Sequence, residues 1–136
     1  MSTLLVHLTI RAGREREFEE TARAMYASSH AHESGLRRYE YWRAEAPSSY
    51  YTLEAFDDYN GFVRHQASGH HESHTPLFRE IIESIRFEWV DALQGASPLA
   101  PTDAVPLPAD ADDVMKAYAE RSPVHVAPWW AALRDG

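Results

Sequence analysis

The stretch Leu36–Phe56, LRRYEYWRAEAPSSYYTLEAF, decides the fold. Ala46-Pro47-Ser48 supplies turn residues, and on either side the chain alternates with period two, which predicts strands over 36–44 and 49–56. In the first strand Leu36, Arg38, Glu40 and Trp42 oppose Arg37, Tyr39, Tyr41 and Arg43. In the second, Tyr50, Thr52, Glu54 and Phe56 oppose Tyr51, Leu53 and Ala55. Both faces carry large side chains, so neither is a simple solvent face. Such a sheet is expected to be covered twice, by helices on one side and a partner on the other.

Upstream, residues 3–10 alternate as Leu4, Val6, Leu8, Ile10 against Leu5, His7, Thr9, a further strand closed by Gly13. A charged amphipathic helix follows to about Ser29, with Phe18, Ala22, Met25 and Tyr26 as its apolar stripe. Downstream, Asp57-Asp58 offers acceptors to a short helix over about 58–67, which Ser68-Gly69 is expected to end. A second helix is predicted from about Ser73 to Glu83, with Pro76 in its first turn, and a last strand over 85–93. The order β-α-β-β-α-(α)-β predicts an α+β fold, a ferredoxin-like split βαβ with an antiparallel sheet, over residues 1–95.

After Gly95 the composition changes. Six of the eight prolines fall between Pro98 and Pro128, so 96–136 reads as a Pro-rich extension: a stiff linker to about 110, a helix over Ala111–Arg121 and a helical turn at Pro128–Arg134. Trp129 and Trp130 are costly to expose, so the extension is expected to dock on its own or a partner subunit, as a buckle or as a lid over a pocket mouth.

Composition bounds the function. The chain has 136 residues, no cysteine and a net charge of −8. Disulfides, thiolate chemistry and Cys-ligated metals are excluded. The acidic balance argues against non-specific nucleic-acid binding. No apolar run is long enough to span a bilayer and no secretory signal is evident, so a cytoplasmic protein is expected.

Four of the eight histidines, His65, His70, His71 and His74, fall within ten residues. Imidazole titrates near neutrality and is a common metal ligand, so this cluster points to acid–base or ligand chemistry. A zinc or copper site from His70, His71 and His74 fits the ligand type. The plainer reading makes His65 a packing and capping residue and His71 a solvated loop residue.

Four motifs in order carry a family resemblance: Ile10-Arg11-Ala12-Gly13 closing the first strand; Glu33-Ser34-Gly35-Leu36-Arg37-Arg38-Tyr39, an E-x-G-x-x-x-Y pattern; Leu53-Glu54-Ala55-Phe56, an L-E-x-W pattern with Phe for Trp; and His65-x4-His70. Over residues 3–93 the chain resembles the antibiotic biosynthesis monooxygenase domain family of the dimeric α+β barrel superfamily. The resemblance implies a homodimer whose sheets face each other, with a pocket in each subunit. It implies either oxygenation of phenolic, quinol or anthrone-type aromatics by dioxygen with no cofactor, or haem binding and degradation. For the first, His65 and His70 are the base candidates, with Trp42, Tyr51, Arg43, Phe62 and His74 as substrate contacts. Tyr39, Tyr41 and Tyr50 would add aromatic wall, and Glu54 reads as a structural pairing within the sheet. For haem, His74 resembles the proximal ligand, although the first strand lacks the asparagine of haem-degrading relatives. A non-catalytic binder of small molecules is the reading from a different class.

Overall fold

The computed structural model describes residues 1–134. Its elements are β1 (Ser2–Ile10), α1 (Glu15–His32), β2 (Leu36–Arg43), β3 (Ser49–Phe56), α2 (Tyr59–Ala67), α3 (Gly69–Ile81), β4 (Ile82–Val90), α4 (Asp113–Arg121) and α5 (Pro128–Arg134). Four strands form one antiparallel sheet in the order β2-β3-β1-β4, the ferredoxin-like arrangement that the element order predicts.

Register decides which side chains share a face. Tyr41, Thr52, Val6 and Phe87 are cross-strand neighbours, and so are Tyr39, Glu54, Leu4 and Trp89. Both rows face the helices. Leu4, Val6, Leu8 and Ile10 are buried there against Phe18 of α1, Phe62 and Val63 of α2, and Ile81 of α3. The opposite face carries the row Trp42, Tyr51, His7, Arg86, and beside it Glu40, Leu53, Leu5, Glu88. Trp42 is 59% exposed there and Tyr51 38%. Arg37 leaves the alternation at an irregularity between Leu36 and Arg38 and pairs with Asp57 instead.

Local chemistry fixes the turns. Ser48 takes a positive φ of 58° in the β2–β3 hairpin, and its Oγ donates to Glu15 Oε1 at 2.5 Å. Asp58 caps α2 by accepting from Gly61 N at 2.9 Å.

Two expected boundaries move. Gly69 opens α3 rather than separating two helices, because the Ser68 side chain accepts from His71 N at 3.2 Å and caps the new helix. The helix therefore starts four residues before the expected Ser73. Pro76 lies at its eighth position, not in its first turn. Glu72, whose carbonyl loses its helical donor there, is exposed to water, so the missing amide is tolerated. The last strand accordingly spans 82–90 and not 85–93.

The extension packs back on the same chain. Thr102, fully buried, donates from Oγ1 to Val90 O at 2.8 Å and accepts from Thr3 N at 3.3 Å. Arg134 reaches Asp91 at 2.5 Å. The Tyr59 hydroxyl donates to Ser122 O at 2.8 Å and the Trp89 indole to Pro123 O at 3.0 Å, seating the end of α4 beside α2 and β4. Of the adjacent tryptophans, Trp130 is buried and Trp129 exposed. The last two residues of the predicted 96–136 unit lie outside the described residues. No helix among the described residues is long and apolar enough to cross a membrane.

Candidate functional site

Between the sheet and α3 lies a cavity of about 470 Å³. Val6 and Leu8 of β1, with Ile85 and Phe87 of β4, make its apolar floor, and Phe18 and Phe78 close the helix side. Polar groups converge on it from four elements: Thr52 and Glu54 of β3, Tyr39 and Tyr41 of β2, Gln66 of α2 and His71 of α3. Tyr118, Arg121 and Ser122 of the extension complete the rim.

Several of these polar groups are buried and unpartnered. Thr52 Oγ1, Glu54 Oε2 and His71 Nδ1 are enclosed with no hydrogen-bond partner in the protein among the described residues. Buried polar atoms are nearly always paired, and leaving one unmade costs about 1–3 kcal/mol. All three belong to residues that line this one cavity, a concentration of orphaned polar groups suited to a ligand-binding site.

Their protonation follows from burial. Glu54 is 5% exposed, and burial pushes its carboxyl above the usual range; the nearby His65 opposes this and Glu33 adds to it. His71 is pushed down to about 3, first by burial and then by His65 and His70, so it is neutral at physiological pH. The Gln66 backbone opposes that shift in small part. The Tyr39 and Tyr41 hydroxyls lie 2.5 Å apart, and burial raises both phenols. At pH 7 the cavity thus holds two neutral phenols, a neutral imidazole and a carboxyl with raised proton affinity. That carboxyl can take a proton and the imidazole can accept a hydrogen bond.

His65 and His70 serve a different assembly. Glu33, at the end of α1, accepts from His65 Nδ1 at 2.9 Å and from His70 Nε2 at 2.5 Å, and Ser29 Oγ lies 3.2 Å from His70 Nε2. His65 is 1% exposed, wedged edge-on against Tyr39 at 5.0 Å and near Phe56 at 5.4 Å. Neither histidine lines the cavity. The three donor sets lie within 4.8 Å of one another, but the 2.5–3.0 Å separations are those of hydrogen bonds. As they stand, these residues clamp α1 to α2 and α3 through hydrogen bonds.

The clamp has a defined pH signature. Burial pulls His65 down, but its bond to Glu33 and the Glu54 and Glu33 charges outweigh this and leave it raised above 6.5. Its stabilisation is therefore complete below 6.5 and lost as pH rises through the folded value. Burial raises Glu33, but His65 and His70 outweigh it and leave it below 4.5, so its share is lost as pH falls through that lower value. His71 acts oppositely to His65: below 6.5 the unfolded chain takes a proton that the fold refuses down to about 3. His71→Asn is expected to lose less stability between pH 7.5 and 4.5 than wild type, measured by urea unfolding at both pH values.

The other sequence candidates scatter. Trp42 and Tyr51 project from the sheet face opposite the cavity, where Tyr51 meets the His7 ring edge-on at 5.0 Å. Arg43 lies with Trp42 on a separate groove of about 550 Å³ between α1 and β2. There Glu19 accepts from Arg43 at 3.4 Å and from Tyr50 at 2.8 Å, so the groove's polar groups satisfy one another. Phe62 is fully buried in the core. Phe62→Leu is expected to cost about 1 kcal/mol in denaturant unfolding and to leave ligand affinity unchanged. His74 packs beside Phe78, its ring 6.3 Å away, and does not line the cavity. The proposed grouping of His70, His71 and His74 is not assembled: one ring turns to Glu33, one to the cavity and one to Phe78.

Sequence reasoning gave Glu54 a structural pairing, weighed His71 as a metal ligand or a solvated loop residue, and did not single out Thr52. The signal for Glu54 and Thr52 was present: polar residues between Tyr50 and Phe56 on an inward-facing strand parity. The histidine cluster drew notice to His71, but its place at the cavity depends on Ser68 starting a helix at Gly69.

Comparison with known proteins agrees with this architecture. Residues 1–76 match the family described as antibiotic biosynthesis monooxygenase. PA3566 from Pseudomonas aeruginosa is similar in structure at 22% identity and a TM-score of 0.61, over 65% of this chain and 90% of that one. A protein from Nitrosomonas europaea named for the same family gives 18% identity and a TM-score of 0.63, over 68% and 99%. Rv0793 from Mycobacterium tuberculosis gives 16% identity and a TM-score of 0.64, over 71% and 98%. No curated protein matches the sequence. The matched profile spans more than half of the chain, and with the shared fold it shows that the protein belongs to the antibiotic biosynthesis monooxygenase family.

Proposed function

We propose that the cavity binds a phenolic, quinol or anthrone-type aromatic molecule and promotes its oxygenation by dioxygen without a cofactor. The observation that carries this reading is that three unpartnered buried atoms, Thr52 Oγ1, Glu54 Oε2 and His71 Nδ1, all belong to residues lining this one cavity. A flat ring fits between the Val6–Phe87 floor and Phe78, while its hydroxyl reaches the polar wall.

In this reading Glu54 is the base. Its raised proton affinity suits the task better than an imidazole held at about 3. His71 Nδ1 and Thr52 orient the substrate oxygen. Removing the O–H or activated C–H proton gives an electron-rich anion that passes one electron to dioxygen, and the two radicals combine at carbon as a peroxide. Breaking the O–O bond with loss of the remaining C–H hydrogen releases water. An anthrone methylene thus becomes a carbonyl: one oxygen atom enters the ring, two hydrogens leave, and the other oxygen departs in water. The protein supplies position, proton transfer and exclusion of solvent. His65 and His70 hold the helices that shape the cavity.

The exposed Trp42 and Tyr51, beside Leu5 and Leu53, form a face suited to a second copy of the chain. We expect a homodimer, with light scattering giving twice the 15.5 kDa of the chain and Trp42→Arg shifting it toward that mass. For the activity, oxygen uptake is measured with chelated protein against anthrones and hydroquinones. Turnover in wild type with a loss of about tenfold or more in His71→Asn supports the reading. Binding without uptake for every substrate contradicts it.

A further inference from the structure

We infer that the ligand of this cavity carries a carboxylate at the end remote from its phenolic oxygen, received by Arg79 and Arg121 at the rim. The inference rests on the reading of the cavity as the substrate site, and it names the class of substrate that site selects.

Acidic residues outnumber Lys and Arg by 21 to 13, and the arginines at positions 14, 16, 23, 37, 38, 43, 86 and 134 each pair with a carboxylate. Four arginines meet no carboxylate within 4.0 Å among the described residues: Arg11, which donates to Glu80 O, Arg64 on α2, and Arg79 and Arg121, which alone of the four line the cavity. Two guanidinium groups left without an acid, on one cavity rim of an acidic protein, mark a place where an external anion is favourable. Arg121 is also held in place. Its guanidinium carbon lies 4.3 Å from the centre of the Tyr118 ring, and its Nε donates to Ala117 O at 3.3 Å. Tyr118 is in turn bonded to Glu72 and meets the His71 ring edge-on at 6.0 Å.

The cavity is also polarised along the sheet. The polar wall, Glu54 and Thr52, belongs to β3, whereas the apolar Ile85 and Phe87 belong to β4. Strand β1 lies between them, so the two sides are two strand spacings apart, about 10 Å. That is the length of a two-ring aromatic with an oxygen at each end. Ile85 and Phe87 are exposed, so the β4 side is the mouth. A ligand entering there places its hydroxyl against Glu54 and its acid at the rim. Guanidinium forks match the two oxygens of a carboxylate, so an acid is favoured over a neutral polar group.

The test uses two probes with the same ring system, 6-hydroxy-2-naphthoate and 2-naphthol, titrated into the full chain without oxygen and followed by naphthol fluorescence. Buffer at about 0.15 M salt keeps long-range charge effects screened. Wild type is expected to bind the acid about tenfold more tightly. The double variant Arg79→Gln/Arg121→Gln loses that preference, with its 2-naphthol affinity within about twofold of wild type. Equal affinities in wild type, a preference that survives the double substitution, or binding of neither probe overturns the inference. Because no turnover is measured, a clear acid preference in a protein that oxygenates nothing upholds this inference while removing the oxygenase reading.

Discussion

Glu54→Gln is expected to lower kcat for oxygenation by about 10²–10⁴-fold while ligand affinity stays within a few-fold, because the amide keeps shape and polarity but cannot take a proton. The same substitution is expected to stabilise the fold at alkaline pH. Burial raises the Glu54 pKa above 4.5, so the native state resists an ionisation that the unfolded chain makes freely. That penalty grows as pH rises through the folded value and is absent in the amide. Activity carries the opposite dependence: the base must be ionised, so kcat in wild type rises with pH on a single ionisation above 4.5. An activity limb unchanged in the Gln variant assigns the base elsewhere. Steady-state kinetics and urea unfolding across pH 5–9 give both readings from one set of samples.

Glu33→Ala is expected to cost about 3 kcal/mol at pH 6. The carboxylate is the common acceptor for His65 at 2.9 Å and His70 at 2.5 Å, and His65 has no water to turn to. Without it the buried imidazole either stays charged and unpaired or surrenders its proton, and both alternatives weaken the attachment of α1 to α2 and α3. Glu33→Gln is expected to recover part of the loss, since its carbonyl still accepts one hydrogen bond. Equal stability of Glu33→Ala and wild type in urea at pH 6 contradicts the clamp.

The sequence disclosed the fold more readily than the site. The period-two runs over 3–10, 36–44 and 49–56 and the stripe beginning at Phe18 each have a direct physical cause, burial on one face, and they determined the sheet and its first helix. The α3 boundary was less legible. Gly69 and Pro76 both read as interruptions, whereas a single Ser68 cap and the exposure of Glu72 are enough to keep one helix running across them. That shift carries His71 from an expected loop to the cavity wall. The histidine cluster drew attention for a sound reason, but spacing along the chain does not say which ring meets which partner. His65 and His70 turn to Glu33, which lies more than thirty residues earlier. Trp42 and Tyr51 show the other limit: a strand's parity groups its residues correctly, and only the packed helices reveal which group faces inward.

The most direct test of the central claim is product labelling under 18O2, with metal-stripped wild-type protein and an anthrone substrate in the presence of chelator. The expected result is one labelled oxygen atom in each product molecule, one dioxygen consumed per turnover, and no stimulation by added metal, flavin or hemin. An unlabelled product, or turnover that appears only when one of those cofactors is restored, contradicts it.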